Sequence, residues 1–197
     1  MKKPKIMRKL AEHNPLTRQR RNLASLEALD IRTQAMRDAQ LRARFFEVLQ
    51  AMRGRAAKQF LLRMLKDPRY TSAERKRAVA IYASKTPRKA LPLYRELLPI
   101  ADLPAGVRAQ MALELARGRS DHNATVLRRV LANPRDSLTV RIACAKALAS
   151  WPSLLSRRLL SKIVRNPNED PKLKKVAAQS LAELNEMKWK LIPRKRK

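Results

Sequence analysis

The sequence predicts an all-α protein: a right-handed α-solenoid of four to five helix-turn-helix repeats, each 33 residues long, with basic N- and C-terminal arms. Three observations predict it. Ala, Leu and Arg dominate, while aromatics make up 4% and Gly only 3 of the 197 residues, a palette that favours helix over sheet. Apolar residues recur at helical spacing in sets that repeat every 33 positions. Pairs of Asn or Asp with Pro, which end helices, recur in the same register. The length suits one domain or one continuous array, and 45% hydrophobic residues in a regular pattern exclude wholesale disorder.

Residues 1–23 read as a basic arm. Lys2, Lys3, Lys5, Arg8, Lys9, Arg18, Arg20 and Arg21 are opposed by Glu12 alone as far as residue 26. The segment lacks the apolar stretch of a secretory signal. Its shortage of acids matches organelle presequences, whereas Pro4, Pro15 and the lysines suit a retained arm, so both readings stay open.

The array itself is expected over 24–187, with a divergent repeat at 24–56 and regular repeats over 57–188. Four first helices carry the sets Phe60-Leu61/Met64-Leu65, Leu93-Tyr94/Leu97-Leu98, Val126-Leu127/Val130-Leu131 and Leu159-Leu160/Ile163-Val164, each at i, i+1, i+4, i+5 spacing. Three of them stop at Asp67-Pro68, Asn133-Pro134 and Asn166-Pro167. The second helices share a core column of Ala78, Met111, Cys144 and Ala177, followed four residues on by Tyr82, Leu115, Leu148 and Leu181. Small residues align at Ala83, Ala116, Ala149 and Ala182, allowing close approach of helices. One period before the first of these columns stand Phe45 and Leu49, the trace of the divergent repeat. Residues 188–197 close the chain as a basic tail, with Lys188, Lys190, Arg194, Lys195, Arg196 and Lys197 and no acid.

The strings SLTVRIACAKAL (137–148), LPAGVRAQMALELA (103–116) and EDPKLKKVAAQSLAEL (169–184) resemble the second helix of short HEAT-like repeats. The resemblance covers about 57–188 and implies the solenoid fold, while such arrays serve as scaffolds, nucleic-acid binders and a few enzymes.

The formal charge of +30 calls for a polyanionic partner. One surface column is basic at every period: Arg42, Arg75, Arg108, Arg141 and Lys174. It has two readings. A ladder of this kind can track successive phosphates. Alternatively it ties repeats together, as the resemblance implies, with Asp102, Asp136 and Asp170 a few residues upstream as the expected partners. The first helices add Arg63, Arg95, Arg128, Arg129, Arg157, Arg158, Lys162 and Arg165 on their polar faces, opposed by Glu96, whereas a merely solvated face mixes signs. Both helix layers and both arms are therefore expected to bind nucleic acid through its backbone, with steep salt dependence and little sequence selectivity.

Structured RNA fits better than a single strand. Single-strand readers stack bases on exposed aromatics, and this chain offers Trp151, Trp189 and few others: Phe60, Tyr82 and Tyr94 fall in core columns, and Trp151 follows a second helix as a core cap. Basic arms around a compact body suit a ribosomal component bound to rRNA, alongside neighbouring ribosomal proteins, in the mitochondrial matrix or the cytoplasm. Segments 58–90 and 133–141 are also similar to the small-subunit ribosomal protein fourteen family, although the cysteine-bearing, Gly-rich end of that family is absent.

Enzyme chemistry finds little foothold. Gly54, Gly106 and Gly118 form no phosphate-cradling loop, and one Cys with two His makes neither a zinc site nor a disulfide. No cofactor or metal is expected. Cys144 reads as a buried hydrophobe, and Asp121-His122 as an exposed inter-repeat turn. The rival reading is a DNA-binding HEAT-like protein, architectural or resembling alkylpurine DNA glycosylases, for which Glu114 and Trp151 are the nominees. A scaffold for acidic proteins ranks third. No apolar run is long enough for a membrane helix.

Overall fold

The computed structural model describes residues 22–31, 39–52 and 54–191, with 39 and 187–191 described by backbone alone. Among them are ten helices and no strand. They are α1 (22–31), α2 (Ala39–Ala51), α3 (Arg55–Lys66), α4 (Ser72–Lys85), α5 (Pro87–Leu97), α6 (Ala105–Arg117), α7 (Asp121–Ala132), α8 (Leu138–Ala149), α9 (Leu154–Arg165) and α10 (Pro171–Leu191). The helices α2, α4, α6, α8 and α10 all begin one 33-residue period apart, as do α3 and, two periods on, α7 and then α9. α5 starts one residue ahead of that register because Pro87 is pre-organised for the first helical position.

The chain divides after Tyr70 into two compact units. In the first, Phe45 sits edge-on to Phe46 and Phe60 with centroids 5.7 Å apart, around a core that includes Leu26, Leu49, Leu61 and Met64. Such edge-to-face pairs add stability beyond the area they bury. Gly54 opens α3 at φ +115°, a backbone conformation that side chains strain. Asp30 is buried here and accepts hydrogen bonds from the Arg42 guanidinium and the Tyr70 hydroxyl. Burial, then the Asp30 hydrogen bond, pushes the Tyr70 hydroxyl well above its ordinary pKa.

In the second unit, α4 packs on α6, α6 on α8 and α8 on α10, while α5 packs on α7 and α7 on α9. Each of α5, α7 and α9 also packs on the helix that follows it. The columns read from the sequence form this core. Ala78, Met111, Cys144 and Ala177 are fully buried, as are Leu115 and Leu148, with Tyr82 nearly so. The small-residue column is buried at Ala83 and Ala149, partly exposed at Ala116 and exposed at Ala182, in the last helix of the unit. Burial raises the Cys144 thiol to about 12, so it stays protonated and inert.

Helix ends follow the sequence. Thr71 and Glu74 form a reciprocal capping box at the start of α4, and Ser120 accepts the Asn123 N–H at the start of α7. Asp67, Asn133 and Asn166 cap the C-termini of α3, α7 and α9, each immediately before its proline. Two expectations need correction. Asp121 and His122 are not in a loop: they open α7, because Ser120 supplies its N-cap. The segment expected as a tail from 188 begins inside α10, which runs on to Leu191. Among the described residues, no helix is long and apolar enough to cross a membrane, and no group of three or more His, Cys, Asp or Glu could hold a metal ion.

Candidate nucleic-acid interface

The basic column of the second helices resolves into residues with different occupations. Arg108 and Arg141 are buried, with side chains 3% and 8% exposed. Arg108 donates two hydrogen bonds to Asp136 at 2.8 and 2.6 Å and a third, from Nε, to the Leu98 carbonyl at 2.7 Å. Arg141 repeats the arrangement with Glu169 at 2.8 and 2.6 Å and the Leu131 carbonyl at 3.0 Å. In both, the carboxylate lies 28 residues ahead, in the turn before the next second helix. A planar fork facing two carboxylate oxygens is the strong form of ion pair, and burial removes the competition of water. The Arg141 hydrogen bonds hold the Glu169 carboxyl below its usual range.

Of the two readings of the column, these two residues take the tying one: both side chains are buried and each engages a carboxylate and a backbone carbonyl. The expected direction is corrected. Arg108 takes the acid of the following turn, while Asp102 stays exposed. Arg141 takes Glu169, while Asp136, its expected partner, pairs with Arg108, and Asp170, expected for Lys174, accepts the backbone N–H groups of Lys172 and Leu173. The rest of the column varies. Arg42 pairs with Asp30 and lies over the rings of Phe45, Phe46 and Tyr70 at 4.7, 5.5 and 5.6 Å. Lys174 is held by the Pro167 carbonyl at 3.1 Å. Arg75 has Leu103 where Arg108 has its acid, and its Nε is buried with no hydrogen-bond partner.

The first-helix cations split the same way. Arg95 donates to Asn123 Oδ1 at 3.1 Å and Arg128 to Ser156 Oγ at 3.5 Å, again 28 residues ahead, tying α5 to α7 and α7 to α9. Arg157 donates to the Leu184 carbonyl at 2.6 Å. In the first unit, Arg63 pairs with Glu27 at the surface. By contrast Arg88, Lys89, Arg129, Arg158, Lys162 and Arg165 are exposed, and none of their side chains has a hydrogen bond or ion pair among the described residues.

Two grooves hold most of these groups. Between α5 and α7, a groove of about 660 Å³ is lined by Arg95 and Arg129, but also by Glu96, Asp121 and the exposed His122. Between α9 and α10, one of about 720 Å³ is lined by Arg157, Arg158, Lys162 and Arg165 with no acid. Sequence reasoning listed Arg157 and Arg158 as contacts and saw Lys162 and Arg165 only as part of a basic face. It missed Asn166 and Asn185, which share the groove. Of the enzyme nominees, Glu114 is buried and held by Gln110 and Arg117 of its own helix, and Trp151 donates its indole N–H to Asp121 at 3.1 Å. Lys2, Lys3, Lys5, Arg8, Lys9, Arg18, Arg20, Arg21, Arg194, Lys195, Arg196 and Lys197 lie outside the described residues.

No protein-family model matches the chain, and no curated protein sequence matches it. The likeness to HEAT-like repeats and to ribosomal proteins rests on the residues quoted above.

Proposed function

We propose that the chain is a non-enzymatic, structural RNA-binding protein, an rRNA-binding component of a ribosomal subunit in the mitochondrial matrix or the cytoplasm. Its fold is a right-handed α-solenoid of HEAT-like helix pairs, a reading supported by the 33-residue register of helix starts and by the consecutive packing within the second unit. One observation carries the functional reading. After the internal clasps are accounted for, Arg88, Lys89, Arg129, Arg158, Lys162 and Arg165 remain exposed on the first helices, their side chains without a hydrogen bond or ion pair among the described residues. Uncompensated cations on one helix layer suit a phosphate backbone, and the arms add further basic groups from both ends.

The test is sedimentation. The tagged chain, expressed in cells, is expected to travel with ribosomal particles through a density gradient and to be stripped from them by high salt. Absence from every ribosomal fraction would overturn the ribosomal assignment. Copurifying DNA in place of RNA would overturn the RNA reading.

A further inference from the structure

The groove between α9 and α10 differs from the rest of the basic surface. Arg157 is anchored on the Leu184 carbonyl, which leaves its guanidinium on the groove wall. Arg158, Lys162 and Arg165 follow along two turns of α9, exposed and without a protein partner. Four like charges in one groove repel one another, a cost that an anionic occupant removes. The α5–α7 groove, of similar size, sets Glu96 and Asp121 against Arg95 and Arg129 and carries no such excess.

Two further features describe the occupant. Leu181 lines the groove half-buried, although its column-mates Leu115 and Leu148 are fully buried, so an apolar surface lies open beside the cations. Asn166 and Asn185 place amides there, each both donor and acceptor. Phosphate, an apolar sugar face and hydroxyls that donate and accept occur together in ribonucleotides.

We propose that the α9–α10 groove is the anchoring subsite for the sugar-phosphate backbone of a structured RNA. Arg158, Lys162 and Arg165 take the phosphate oxygens, Leu181 seats the ribose, and Asn166 and Asn185 bond its hydroxyls. This deepens the RNA-binding reading and rests on it.

The full chain is titrated against a fluorescent RNA hairpin over a series of salt concentrations. The triple variant Arg158→Gln/Lys162→Gln/Arg165→Gln is compared with Lys76→Gln/Arg135→Gln/Lys146→Gln, which removes three exposed cations elsewhere. The groove variant is expected to lose at least about tenfold in affinity, with the slope of log K against log salt reduced by about 2–3. The comparison variant is expected to lose no more than about threefold. Equal losses in the two variants would overturn the subsite and leave RNA binding intact. A wild-type chain that binds phosphatidylserine vesicles and ignores the hairpin would overturn both.

Discussion

Arginine does opposite things on α6 and α8, and on the outer side of α9. Arg108 and Arg141 are buried, forked onto carboxylates and closed to any ligand. Arg158 and Arg165 stand in the open with no protein partner. Residue type and local charge density do not separate the two sets. What separates them is packing: Arg108, Arg141, Arg95 and Arg128 each reach an acceptor 28 residues ahead, whereas Arg158 has Glu186 at that separation and makes no bond to it. This basic, all-helical chain thus contains two populations of cation, one that holds the helices together and one that stands exposed.

The sharpest way to break this contrast is to orphan a buried arginine. Asp136→Ala leaves Arg108 charged and unpaired at 3% exposure, and should cost about 3–5 kcal/mol in urea unfolding. RNA affinity of the still-folded fraction should be unchanged, since Arg108 faces no ligand.

Glu169→Gln tests the second clasp and should cost about 1–3 kcal/mol, because an amide replaces a charged acceptor. It carries a pH signature. The folded-state pKa of Glu169 is lowered from 4.5, so its stabilisation is complete above that value and is lost as pH falls through the folded pKa. The wild type should therefore lose stability relative to Glu169→Gln on acidification below about pH 4.5, and a constant gap between the two would remove the clasp from the account.

Leu103→Glu offers Arg75 the acid its register lacks. A rise in stability of about 0.5–1 kcal/mol is expected, measured by thermal melting, and a fall would mean that Leu103 packing outweighs the new pair. The smallest change belongs to Arg158→Gln/Lys162→Gln/Arg165→Gln, which should alter stability by less than about 0.5 kcal/mol, since no internal bond is lost. Melting that shifts by several degrees would place these side chains in the structural population.

Much of the fold was legible in the chain. Periodicity located the helices because burial acts on apolar faces, and Met111, Cys144 and Leu148 occupy the core positions their columns assign. The Asn/Asp-Pro stops fell at helix C-caps because the residue before proline is driven out of helical geometry. The site was less legible. The column of Arg108 and Arg141 is visible in the sequence, but the acids upstream of them are not their partners: Asp102 is exposed, and Asp136 pairs with Arg108 and not with Arg141. Their true partners are fixed by helix stacking, a long-range fact without a local signal. A 28-residue separation between arginine and a polar residue recurs in the sequence, but it also sets Arg158 against Glu186 and Arg157 against Asn185, which do not bond, so it does not by itself identify the clasps. The α9–α10 groove depends on which residues of two helices share a surface, and Asn185 carries no pattern that announces it.

The forward reach of the clasp has a consequence for how such a chain can lengthen. Residues 105–137 contain Arg108 together with Asp136, and residues 138–170 contain Arg141 together with Glu169. A block cut just before a second helix brings both halves of its own lock. Tandem copying of one such block would orphan neither charge, so gene duplication could extend the protein without first evolving a new joint.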